Sequence, residues 1–136
     1  MSARTKARKR ALDILFECEL RGIPVVATLA ERVAAAEPPV GEYTVELVEG
    51  VSGHRDDIDD MLTRYAEGWT LARMPAVDRN ILRIAAYEVL FNDDVPDEVA
   101  VSEAVGLARD LSTDESPSFV NGLLAALARA KPTLSG

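Results

Sequence analysis

The chain has one cysteine, Cys18, and one histidine, His54. A lone cysteine excludes an internal disulfide and suits a reducing compartment. A lone histidine has no second histidine or cysteine with which to share a metal. It also lacks the surrounding motif of a Ser-His-Asp or Cys-His site. Asp56, Asp57, Asp59 and Asp60 spread around a helix and lack the spacing of a calcium loop, so they read as a first turn suited to the helix dipole. No GxGxxG or Walker A pattern occurs, so no cofactor is indicated. Aromatic residues make up only 5% of the chain, which leaves few stacking platforms. No stretch approaches the roughly 18 apolar residues of a membrane helix. The apolar stretch behind the basic start is broken by Asp13, Glu17 and Glu19, so it is no signal peptide. The expected location is the cytoplasm, with no membrane partner.

One scarcity is local. The first ten residues, MSARTKARKR, hold no acid and five bases: Arg4, Lys6, Arg8, Lys9 and Arg10. The whole chain has 15 Lys+Arg against 23 Asp+Glu, a net charge of −8. The remainder therefore carries 10 bases against 23 acids, a net of −13.

What is present favours helices. The 136 residues are 48% apolar and 28% charged, as in a globular protein. They are expected to form a single domain over residues 1–136, with a basic arm at residues 1–10. Apolar spacing predicts helices at about Thr5 to Arg21, Val25 to Ala36, Glu42 to Val51 and Asp56 to Ala66. Ser52, Gly53 and His54 read as a break, and GWTLARM as a loop or short turn. The segment from Pro75 to Phe91 is apolar nearly all round, the mark of a central helix. A sixth helix is expected at about Glu98 to Leu111. A seventh starts with Ser116 as cap and Pro117 in the first turn, and closes at Lys131-Pro132. The fold class is all-α, with about seven helices around the fifth.

At 100° per residue the five cations point around the first helix as a collar. A helix N-terminus is already partly positive, so the fold gains nothing from them there. One reading is a solvated tail. The other is an arm that meets phosphates and releases counterions. The acidic body argues against broad nucleic-acid coating and for a local contact assisted by a partner.

Three blocks resemble the NusB family: RTKARKRALDILFE, MPAVDRNILRIAAYEVL and VPDEVAVSEAVGLARDLSTDESPSFVNGLLAAL. They follow the family's order and cover about half the chain. The resemblance implies two small helical bundles packed together. It implies a non-enzymatic transcription antitermination factor that binds boxA RNA of ribosomal RNA leaders together with NusE, a small-subunit ribosomal protein. The pair would join NusA, NusG and RNA polymerase. Arg4, Lys6, Arg8, Lys9 and Arg10 match the RNA-contacting segment. Arg79 and Arg83, four residues apart, would extend the RNA path, with surface pairing to Glu88 and other acids as the other reading. Phe119 is the stacking candidate, with helix-core packing as its other reading, and Asn121 the base-edge candidate. Gly122 in a helix suggests close approach of another backbone. Phe16 and Asp78 occupy the positions matching the NusE surface, with Glu17 adding charge. Phe16 reads equally as core, and Asp78 as a helix-dipole residue. Glu115 is a candidate for tuning RNA or partner binding. An exposed first helix also permits a homodimer that covers the collar. NusB-like domains occur fused to ribosomal RNA cytosine methyltransferases. A chain that ends at Gly136 without a methyl-donor domain is expected to be the free factor. A helical docking adaptor without an RNA role is the remaining alternative.

Overall fold

The computed structural model describes residues 2–134, with side chains through residue 131. Among the described residues there are seven α-helices, one 3-10 turn and no strand. They are α1 (Ala3–Arg21), α2 (Val25–Ala35), α3 (Glu42–Gly53), α4 (Arg55–Tyr65), α5 (Ala76–Phe91), α6 (Asp97–Leu111) and α7 (Ser116–Leu134), with the 3-10 turn at Leu71–Arg73. None is long and apolar enough to cross a membrane.

Local chemistry sets the boundaries. Ser2 caps α1 by accepting from the Thr5 N–H at 3.0 Å. Gly22 ends it in the left-handed region at φ +65°, where its N–H and that of Ile23 reach back to the carbonyls of Glu19 and Cys18. The expected break at residues 52–54 narrows to one residue. His54 closes α3 through its N–H to Gly50 O and opens α4 through its carbonyl to Ile58 N–H. The seventh helix does not close at Lys131-Pro132; it runs to Leu134.

α5 is the axis. It packs against α1, α3, α4, α6 and α7, while α2 packs on α1 and α3. Ile81, Leu82, Ile84, Ala85, Ala86 and Val89 are buried around its circumference. They meet Leu12, Ile14 and Leu15 of α1, Leu47 and Val51 of α3, and Val120, Leu124 and Leu127 of α7 within one continuous core. Such a helix has no solvent side. Its polar residues Asp78, Asn80, Arg83 and Glu88 are buried as well, and each needs an internal partner.

Candidate nucleic-acid interface

The five N-terminal cations do not form a collar. Arg8 is 2% exposed. Its guanidinium grips Glu88 of α5 with both carboxylate oxygens, Nε at 3.0 and 3.1 Å and Nη2 at 2.9 Å. Its Nη1 lies 3.2 Å from Glu103 of α6. Tyr43 of α3 also donates its hydroxyl to Glu88. Burial, then that carboxylate, push the Tyr43 hydroxyl up from its ordinary value, so it stays a donor. Arg4 leans back over the Tyr43 ring, 4.4 Å from its centroid. Thr5, which interrupts the basic run, donates to Glu103 at 2.6 Å.

Two expectations are thereby corrected. Arg8 does serve the fold, because α5 and α6 supply the acids that α1 lacks in its first turn. The cations also divide by direction. Lys6, Lys9 and Arg10 fall within about 100° of the helix circumference, opposite the side that carries Arg8, Ala11 and Leu15 into the core. Lys6 and Lys9 are exposed and Arg10 half-buried. None of the three forms an ion pair among the described residues. Lys9 borders a cleft of about 260 Å³ with Thr5, Glu103, Gly106 and Leu107.

Arg79 and Arg83 do not extend this array. Both turn to Glu19 of α1, Arg79 at 2.8 and 2.9 Å and Arg83 at 3.2 Å. Arg79 also donates to the carbonyls of Leu71 and Met74, which fixes the 3-10 turn. Arg83 grips Asp59 of α4 at 2.9 and 3.1 Å. This cluster ties α1 and α4 to α5. Burial alone would raise the Glu19 carboxyl, but hydrogen bonds from Arg79, Arg83 and Asn80 overcome it and hold the group down to about 2. The unfolded chain then binds the proton at higher pH than the folded one, so stability falls as pH drops from about 5 toward 2. Because Glu19 is partly exposed, the loss is about 1–2 kcal/mol. Urea unfolding of wild type and Glu19→Gln across that range checks it, and the variant should show the flatter acid limb.

Asp78 lies buried, not on an open face. It is 3% exposed and accepts from Ser112 at 2.5 Å and Ser116 at 2.9 Å, which locks the α6–α7 turn onto the start of α5. Ser116 therefore spends its hydroxyl on Asp78. Glu17 pairs with Arg21 and Arg32 on the surface. Phe16 is half-buried on the outward side of α1, one turn before Leu20, which is 73% exposed.

Phe119 is half-buried and faces a shallow cavity of about 370 Å³. Trp69, Met74, Pro75, Asp78, Glu115 and Ser116 also line it. The Trp69 and Phe119 rings are tilted at 58° with centroids 6.0 Å apart, and Trp69 is 53% exposed. The cavity thus offers two ring surfaces and an exposed carboxylate, Glu115. Sequence reasoning passed over Trp69, although a sole tryptophan in an aromatic-poor chain was the available signal. Asn121 points elsewhere, into a groove between α6 and α7 with Val101, Val105 and Arg109. Gly122 is exposed, and a Cβ there would meet nothing among the described residues, so no other helix as described explains it.

The model for the NusB family matches residues 5–129. The transcription antitermination protein NusB of Nocardioides sp. is 57% identical over 135 residues, covering 99% of this chain and all of that one. That of Arthrobacter sp. is 59% identical over 134 residues, covering 98% of each. Among solved structures, T. maritima NusB superimposes with a TM-score of 0.82 at 34% identity, covering 94% of this chain and 92% of that one. A chain from a crystal structure of the antitermination factors NusB and NusE in complex with dsRNA superimposes with a TM-score of 0.81 at 26% identity, covering 93% and 96%.

Proposed function

The chain belongs to the NusB family of transcription antitermination factors, which are not enzymes, and on that basis we propose that it binds boxA RNA of ribosomal RNA leader transcripts together with NusE. The observation that carries this reading is the outward array of Lys6, Lys9 and Arg10 on an ordered helix of an otherwise acidic chain. Three cations on one side of a helix, with no ion pair among the described residues, follow a phosphate backbone better than a collar does. The Trp69–Phe119 cavity supplies the stacking that single-stranded RNA needs. Glu115 at its rim repels phosphate, which tunes affinity downward and favours a base over a backbone.

NusE docks on the outward side of α1 beyond the cations, at Phe16 and Leu20, with Glu17 beside them. RNA and partner then share one helix, which explains how an acidic protein of modest RNA affinity gains from a second RNA-contacting surface. The assembly acts in the cytoplasm with NusA, NusG and RNA polymerase, and residues 1–136 serve as its single domain.

The test is a binding titration of boxA RNA, with and without NusE, over a salt series. Wild type should show a log–log salt slope that Lys6→Gln/Lys9→Gln/Arg10→Gln flattens by about 2, at roughly 0.7 per single-strand phosphate contact. Affinity at low salt should fall about tenfold. Equal slopes for the two proteins would rule the array out. Equal affinity for scrambled boxA would rule out base recognition.

A further inference from the structure

The RNA reading above treats the outward cations as the contacts; we infer that Arg8 is instead a positioning residue, and that the buried node it forms with Glu88, Tyr43 and Glu103 sets the aim of those cations. The need for such a device is visible in the helix itself. α1 starts with no acid in its first turn, so its basic residues meet the positive end of the helix dipole unaided. A terminus of that composition frays when left alone. Here each turn is tied down by another helix. Ser2 caps α1 and bonds the Thr5 hydroxyl, Thr5 reaches Glu103, Arg8 reaches Glu88 and Glu103, and Thr44 of α3 bonds the Ala7 carbonyl at 3.1 Å.

Arg8 is the centre of this arrangement because its guanidinium joins α1 to both α5 and α6. Its partner Glu88 is 1% exposed, sits on the central helix and receives four hydrogen bonds, three from Arg8 and one from Tyr43. Glu88 has no access to an RNA molecule. With Arg8 anchored, Lys6, Lys9 and Arg10 are presented in a fixed order and RNA need not order the helix on binding, the advantage of any preorganised surface.

The two roles for Arg8 predict opposite signs for one variant. If Arg8 touched phosphate, Glu88→Gln would remove a competing carboxylate and a negative charge, and RNA binding would strengthen. If Arg8 positions the arm, Glu88→Gln loosens it and binding weakens, although the changed residue is out of reach of the ligand. Glu103→Gln repeats the test at a site that is one-quarter exposed and therefore less costly to change than Glu88. Both proteins are titrated with boxA RNA over a salt series, and hydrogen–deuterium exchange of the residue 3–10 amides is followed without RNA. The expected result is faster exchange confined to the arm, affinity down about tenfold at low salt, and a slope flattened by up to about 2, as three contacts lose their common alignment. Unchanged or tighter binding by either folded variant overturns the inference. So does unchanged arm exchange, a readout independent of RNA. If Glu88→Gln does not fold, Glu103→Gln decides. If wild type itself shows no salt-dependent RNA binding, the RNA reading fails, and the exchange data still decide whether this node orders the arm.

Discussion

Glu88→Ala is expected to lower stability by about 3–5 kcal/mol, the range for removing one partner of a buried ion pair. The loss has two sources. The Arg8 guanidinium keeps Glu103, which is one-quarter exposed, as its remaining carboxylate, and the Tyr43 hydroxyl loses its acceptor. A cavity also opens beside a helix that has no solvent side to relax into. The pair itself is not the source of stability, because two desolvated charges about break even against a well-packed apolar pair. Arg8→Met/Glu88→Leu should therefore recover most of what Glu88→Ala loses. Urea midpoints at constant slope measure both. If Glu88→Ala lies within about 1 kcal/mol of wild type, the node is not sealed from water as described.

Gly50→Ala is the second large expected effect, and its sign is against helix propensity. An alanine in the middle of α3 would ordinarily gain up to about 1 kcal/mol over glycine. Here a Cβ would stand 2.2 Å from Cε1 and 2.4 Å from Cζ of Tyr87. The Tyr87 ring cannot swing away freely. It is nearly buried, its ring lies 6.2 Å from both His54 and Phe91, and His54 stacks on Phe91 at 3.9 Å. Such overpacking costs about 1–3 kcal/mol and separates α3 from α5. The double variant Gly50→Ala/Tyr87→Leu should lose less than the sum of the single variants, since the smaller side chain makes room. Additive losses in thermal unfolding would show that the ring is not the obstacle.

Both effects centre on α5, and the reason explains what was legible beforehand. The segment from Pro75 to Phe91 announced a central helix because its apolar residues wrap most of the circumference. The same pattern held an unread clue: a glutamate and an arginine inside a helix with no solvent face require buried partners. Pairing Glu88 with Arg8 spans 80 residues of sequence, and no local spacing reports so distant a contact. Asp78 illustrates the opposite case. Near a helix start, a carboxylate reads equally as dipole partner or docking charge. Only the fold of the α6–α7 turn brings Ser112 and Ser116 to it.

The sequence by itself determined the helices, their order, the central place of the fifth and the excess of cations at one end, because periodicity, caps and charge counts are local properties of a chain. The family followed from blocks of residues for the same reason. Which cations face solvent was decided only by tertiary structure. Arg8 is buried against Glu88, and Arg4 leans over the Tyr43 ring while staying exposed; Lys6 and Lys9 are exposed, and Arg10 on the same side is half-buried. The direction in which a charge points depends on where the neighbouring helices place their acids, and that placement is set by the packing of the core.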